Sequence, residues 1–165
     1  MVTHRRFAPH EWRLYRELRL RALRDAPDAF GSTFAREDGF PDTEWIARMS
    51  AGAASSWNFP MLVEEGDRAI GLAWVRIEPE DPTNATLFQV WVDPDFRRRG
   101  AGATLLTAAI EWARTAGAQH LLLSVALGHG SALAFYKTAG FSEVGGPTVL
   151  RPDSQVLQQA MRFDL

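Results

Sequence analysis

Residues 87–112, LFQVWVDPDFRRRGAGATLLTAAIEW, constrain the fold more than any other part of the chain. The apolar run 87–92 is rich in β-branched and aromatic residues and predicts a strand. Asp93-Pro94-Asp95 breaks it, because proline has no ladder N–H and aspartate favours turns. Arg97, Arg98, Arg99, Gly100, Ala101, Gly102 and Ala103 follow. Then Leu105, Leu106, Ala109, Ile110 and Ala113 recur at three- and four-residue spacing, the period of a helix with one buried face. A strand, a glycine-bearing basic loop and a helix in that order make an anion site. The first N–H groups of a helix lack intrahelical partners and carry the positive end of its dipole. Glycines let a phosphate approach the backbone, and arginines add charge and fork-shaped donors. The expected ligand carries a diphosphate. A dinucleotide fingerprint needs a third glycine where Leu105 stands, and no Gly-Lys-Ser/Thr of a P-loop follows, so both of those readings weaken.

A second strand completes the unit. Residues 120–125 form an apolar run that suits a strand buried on both faces, and Gly117 punctuates the preceding helix. Strand 87–92, helix 101–116 and strand 120–125 make a βαβ unit. Upstream, residues 2–7 predict a short strand and 9–24 a helix with Trp12, Tyr15, Leu18, Arg19, Ala22 and Leu23. Its five arginines (13, 16, 19, 21 and 24) read as a solvated face. Residues 32–38 read as a polar segment, 42–49 as a second helix and 51–58 as a small-residue loop. Residues 59–64 and 69–77 make a hairpin around Glu65-Gly66-Asp67. Gly71 marks a bulge or a close backbone approach. Downstream come a short helix at 131–139, stopped by Gly140, and strands from 141–144 and 156–163. Pro147 and Pro152 leave the segment between them to loops or edges. The order is roughly β-α-α-β-β-β-α-β-α-β-β, an α/β (α+β mixed) fold with a mixed sheet and helices on both faces.

Composition removes several classes. At 165 residues the chain suits one domain, 1–165, with 46% hydrophobic residues for its core. A net charge of −2 argues against general nucleic-acid binding. With no cysteine there is no disulfide, thiol nucleophile or cysteine metal site. The N-terminus has no apolar core of signal-peptide length, and no run reaches the roughly 20 apolar residues of a membrane span. A cytoplasmic protein with no nucleic-acid or membrane partner and no metal is expected.

The loop from Arg97 to Gly102 resembles the Arg/Gln-x-x-Gly-x-Gly/Ala loop of the GCN5-related N-acetyltransferases, the GNAT superfamily. A second segment, HGSALAFYKTAGF, resembles that family's Asn-x-x-Ala-x-x-x-Tyr-x-x-x-Gly-Phe at Ala132, Tyr136, Gly140 and Phe141, with His129 in place of the usual asparagine. The order of elements is the family's as well, with a mostly antiparallel mixed sheet. The resemblance implies an acetyl-CoA-dependent N-acetyltransferase acting on a primary amine by direct attack in a ternary complex. Coenzyme A pyrophosphate would lie on residues 97–103, and the pantetheine arm and acetyl carbonyl against the backbone of Val90, Trp91 and Val92. His129 and Phe135 would border the coenzyme, and Tyr136 would act as the acid for the departing thiolate. Family dimers make a homodimer an expectation too.

The base stays unassigned among Glu78, Glu37, Asp38 and His129. Gln89 stands where some relatives carry a catalytic glutamate, and an amide cannot take a proton. The acceptor side is expected from residues 24–40, strand ends and the 145–155 loop, with Phe30, Phe34, Phe40, Trp45 and Trp57. Two other readings remain: a non-catalytic acyl-CoA-binding or sensing module, and nucleic-acid binding through the arginines of helix 9–24.

Overall fold

A computed structural model describes residues 1–128 and 131–165. The elements are β1 (Val2–Arg6), α1 (Trp12–Asp25), α2 (Phe34–Asp38), α3 (Asp42–Ala54), β2 (Asn58–Glu65), β3 (Arg68–Ile77), β4 (Asn84–Val92), α4 (Ala101–Thr115), β5 (His120–Ala126), α5 (Ser131–Thr138), β6 (Ser142–Glu143), β7 (Thr148–Val149) and β8 (Leu157–Asp164). They form one sheet in the order β1-β2-β3-β4-β5-β8-β6, with β7 also on β8. Only the β4–β5 pairing is parallel among the described strands. The expected mixed, mostly antiparallel sheet between helices is therefore present.

Two apolar cores flank the sheet. On one face α4 places Leu105, Leu106, Ala109 and Ala113 against Met61, Val63, Val75 and Leu121. On the other, α1 and α3 place Tyr15, Leu18, Leu23, Trp45 and Met49 against Leu62, Leu72, Trp74 and Trp91. Being covered on both sides, β3 is buried without a break from Ile70 to Val75. This is why its sequence reads as an apolar run rather than an alternation.

Four expectations need correction. The polar segment 32–38 contains α2, whose first turn is capped by Thr33 accepting from the Arg36 N–H at 3.2 Å. The second long helix does not stop near residue 49 but runs on to Ala54. Small residues are needed there: a Cβ on Gly52 would sit 2.3 Å from the Trp74 ring. The strand expected at 141–144 is only two residues long, and β7 is an additional edge strand. The arginines of α1 are not one solvated face, since Arg19 is buried and bonded to Glu37.

Two irregularities position the site. Gly71 pairs with Val63 and the next matched pair is Ala69 with Glu64, so Ile70 is an extra residue on β3. At Gly71 the backbones also approach: a Cβ would lie 2.5 Å from the Trp91 carbonyl oxygen. Both readings of that glycine hold. On β4, Leu72↔Trp91 and Trp74↔Phe88 leave Ala73 facing two residues, Gln89 and Val90. Gln89 takes a positive φ of 57° to absorb the extra residue.

Candidate active site

β4 and β5 pair at only three positions, Asn84↔His120, Ala85↔Leu121 and Thr86↔Leu122. Beyond them β4 stays with β3, while β5 stays with β8 as far as Ala126↔Gln158. The two strands part, and a cleft of about 870 Å³ opens between them. Residues 28–31, Leu150 and Tyr136 border it. Arg151 ties two of its walls together by donating to the carbonyls of Pro27 at 3.0 Å and Phe30 at 2.7 Å.

The edge of β4 that faces this cleft has no strand partner beyond Thr86. The Asp93 N–H donates to the Ile70 carbonyl at 2.7 Å, toward β3. Strand polar groups alternate in direction, so those of Val92 turn the other way. In agreement, the Val92 carbonyl accepts from Arg97 Nε at 2.9 Å rather than from β3. Val92 therefore presents its N–H to the open edge, while the polar groups of Trp91 turn toward β3, where its carbonyl oxygen lies against Gly71. The Trp91 side chain is core, and its indole donates to Asp25 at 2.9 Å.

After β4 the chain turns through a short 3-10 segment, Pro94–Phe96. Asp93 holds that turn: its carboxylate is buried, accepts from the Asp95 N–H at 2.9 Å and pairs with Arg21 and Arg68. Burial pushes the Asp93 carboxyl up, but the Asp95 N–H and the two arginines outweigh it and hold it below its ordinary value. Arg98 has φ 61° and Gly100 φ 87°, so the chain curls before α4 begins. Thr104 N–H to Gly100 carbonyl, 2.9 Å, is the first helical bond. The N–H groups of Ala101, Gly102 and Ala103 precede it and have no acceptor within the helix. Phe135 of α5 lies next to this end of α4, with its ring 3.8 Å from where a Gly102 Cβ would be.

Two of the three arginines have other tasks. Arg97 Nη2 donates to Asp25 at 2.8 Å, and Arg99 pairs with Glu65 at 3.1 Å. Both pairs pin the loop to its neighbours, so the backbone donors matter more here than the guanidinium charge.

Tyr136 is buried among Phe135 and Phe141, with ring centroids at 5.2 and 5.6 Å, and borders the cleft. Burial pushes its phenol up to about 12. It stays protonated through neutral pH. His129 lies outside the described residues.

The candidate bases separate. Glu37 is buried and holds Arg19 at 2.8 Å and Arg48 at 3.0 Å. Burial alone would raise its carboxyl, but Arg19, Ser32 and Arg48 together hold it below its ordinary value. A carboxylate held so firmly is a poor proton acceptor. It lies in a different cavity from Tyr136. Glu78 and Asp38 are exposed and pair with Arg76 at 2.7 Å and Arg16 at 3.9 Å. Gln89, at the bulge, accepts from the Tyr15 hydroxyl at 2.8 Å. Of the five aromatics expected on the acceptor side, Trp45 is wholly core and Phe30 borders the cleft, while Trp57 is exposed. Phe34 and Phe40 pack against the α1–α3 core.

A family model described as the Acetyltransferase (GNAT) family matches residues 12–141. The chain belongs to this family. A relative from Salmonella typhimurium, the [ribosomal protein bS18]-alanine N-acetyltransferase, is 46% identical over 108 residues, 66% of this chain and 69% of its own. Among solved structures, the GNAT fold recurs in yncA from Salmonella typhimurium, solved with its cofactor acetyl-CoA. Its TM-score is 0.81 at 18% identity, over 100% of this chain and 94% of that one. It recurs in the spermidine N-acetyltransferase of Vibrio cholerae in complex with CoA and spermine, with a TM-score of 0.79 at 18% identity over 99% and 95%. The protein is thus an acetyl-CoA-dependent acyltransferase of the GNAT family. Among the described residues no cluster of His, Asp and Glu could hold a metal ion, and no helix is long and apolar enough to cross a membrane.

Proposed function

We propose that the protein transfers an acetyl group from acetyl-CoA to a primary amine, by direct attack with both substrates bound. The parting of β4 from β5 after Thr86 carries this reading, because it leaves a backbone edge without a strand partner, in the strand that leads through the basic loop into α4. The residues present suit the coenzyme. The curled loop with φ 87° at Gly100 and the free N–H groups at the start of α4 fit a diphosphate. The open edge of β4 at residues 90–92 fits an amide-bearing arm. When bound, acetyl-CoA supplies an activated carbonyl and a thiolate leaving group.

The chain then has three tasks. The Val92 N–H, fixed by the Asp93 and Arg97 contacts on either side of it, donates to the carbonyl oxygen as it gains charge. Tyr136 donates from its phenol toward the departing sulfur. With the phenol at about 12 and a thiol near 8.5, full proton transfer is uphill by about 5 kcal/mol, so Tyr136 acts as a strong hydrogen-bond donor. Phe135, beside the start of α4, borders the coenzyme. Among the described residues the candidate bases Glu37, Glu78 and Asp38 are all held by arginines, so the amine's proton passes to water near Gln89. Proximity of the two substrates supplies much of the acceleration. A cytoplasmic setting, where acetyl-CoA and amines are both at hand, belongs to this reading, as does a homodimer.

The test is calorimetric titration with acetyl-CoA and free coenzyme A, beside an R99E/G102E double variant. The expected result is micromolar binding that the variant loses, followed by amine-dependent thiol release by the wild type. Absence of wild-type binding would remove the transferase reading. Binding without thiol release for any amine would favour a sensing module.

A further inference from the structure

A second cavity, of about 460 Å³, lies on the α1–α3 face of the sheet. Arg19, Arg36, Glu37, Arg48, Arg76 and Gln89 give it its chemistry, above the Tyr15 and Trp74 rings. Four guanidinium groups thus face one carboxylate. Glu37 is shared: Arg19 grips it with two bonds, 2.8 and 3.1 Å, and Arg48 adds a third at 3.0 Å. Two buried or half-buried cations on one anion leave an excess of one positive charge. Arg36, exposed at the rim, adds another, whereas Arg76 is offset by Glu78 at 2.7 Å. Arg19 is 4% exposed, and its buried Nη1 has no hydrogen-bond partner among the described residues. A buried donor without an acceptor is costly.

This chamber and the cleft share lining at one place. Gln89 and Phe88 line both cavities, at the bulge that sets the open edge of β4. It is there that an amine anchored among the arginines would pass Gln89 toward residues 90–92. We infer that the acceptor is a small amino carboxylate, of free amino-acid size, whose carboxylate is held by the arginines of this chamber while its amine reaches the cleft. The inference rests on the transferase reading above and names the substrate class for it.

Two consequences follow from charge alone. A polyamine, which is positive at every nitrogen, is repelled here. An amine beside excess positive charge also loses its proton more readily, which suits a site without a strong base.

The experiment measures thiol release with acetyl-CoA for the free amino acids, their matching α-amides, spermidine and a peptide beginning with alanine. Direct calorimetry of the amino acids runs alongside, without coenzyme. The expected result is at least one free amino acid with kcat/KM 100-fold or more above its own amide, and above spermidine and the peptide. R36Q, which breaks no contact of the core, should raise KM for that amino acid about tenfold with kcat within threefold, and R36K should restore it. Equal rates for acid and amide, preference for spermidine or the peptide, or no bound amino acid would overturn the inference. Amino-acid binding weakened by R36Q in a protein that ignores acetyl-CoA would instead sustain the chamber assignment and remove the transferase reading.

Discussion

The cleft and the chamber meet at Gln89 but are made of different material. The proposed coenzyme site offers backbone: the unpaired edge of β4 and the first N–H groups of α4. Its nearby charges, Arg97 and Arg99, are spent on Asp25 and Glu65. The chamber offers side chains: Arg19, Arg48 and Glu37 locked together beneath α1, α2 and α3. A backbone site depends on conformation and tolerates most side-chain changes that leave the chain path intact. A side-chain site depends on identity, and its members also hold the fold. The two should therefore respond oppositely to substitution, one in binding and the other in stability.

The largest effect is expected at Gly102. A glutamate there sets negative charge and bulk at the N-terminus of α4, and acetyl-CoA affinity should fall about 1,000-fold or more by calorimetry. The melting temperature should hardly move, because only the Phe135 ring lies near that Cβ, at 3.8 Å. Glu37→Gln should do the reverse. It leaves Arg19 and Arg48 without their shared anion, and urea unfolding should register a loss of about 3 kcal/mol. Acetyl-CoA affinity should stay within twofold. Tyr136→Phe should lower kcat about 100-fold with coenzyme affinity preserved. Gly52→Ala is expected to cost about 2 kcal/mol of stability, because its methyl meets the Trp74 ring at 2.3 Å.

Acid sharpens the contrast further. The Glu37 carboxyl lies below its ordinary 4.5 in the folded protein. Its contribution to stability is thus complete above that pH and is lost as pH falls through the lower folded value. In Glu37→Gln this part of the acid limb should be missing from the stability–pH curve.

The same contrast decides what could be read from the sequence. Residues 87–112 announce their structure because strand, turn, loop and helix are consecutive and each is set by local chemistry. Gly100 and Gly102 mark the curl within six residues. The chamber comes from α1, α2, α3, β3 and β4, and no local spacing joins them. Arg19 pairs with a residue 18 positions on, and among five arginines nothing separates it except its place on the apolar stripe with Tyr15, Ala22 and Leu23. That place was the available signal. The small-residue run at 51–54 read as a loop because its reason for being small, the Trp74 ring, lies on another strand. Helix α2, at five residues, is too short for periodicity to show. The expected acceptor side, residues 24–40, includes Glu37 and Arg36 of the chamber but not Arg19, Arg48 or Gln89, which complete it.

The proposed division between coenzyme cleft and acceptor chamber is tested most directly by amide-resolved NMR during an acetyl-CoA titration. The expected result is large shifts at the N–H groups of residues 90–92 and 99–103, with the Trp74 indole and Arg48 signals nearly still. Shifts concentrated at Trp74 and Arg48, with the loop and β4 amides unmoved, would contradict it.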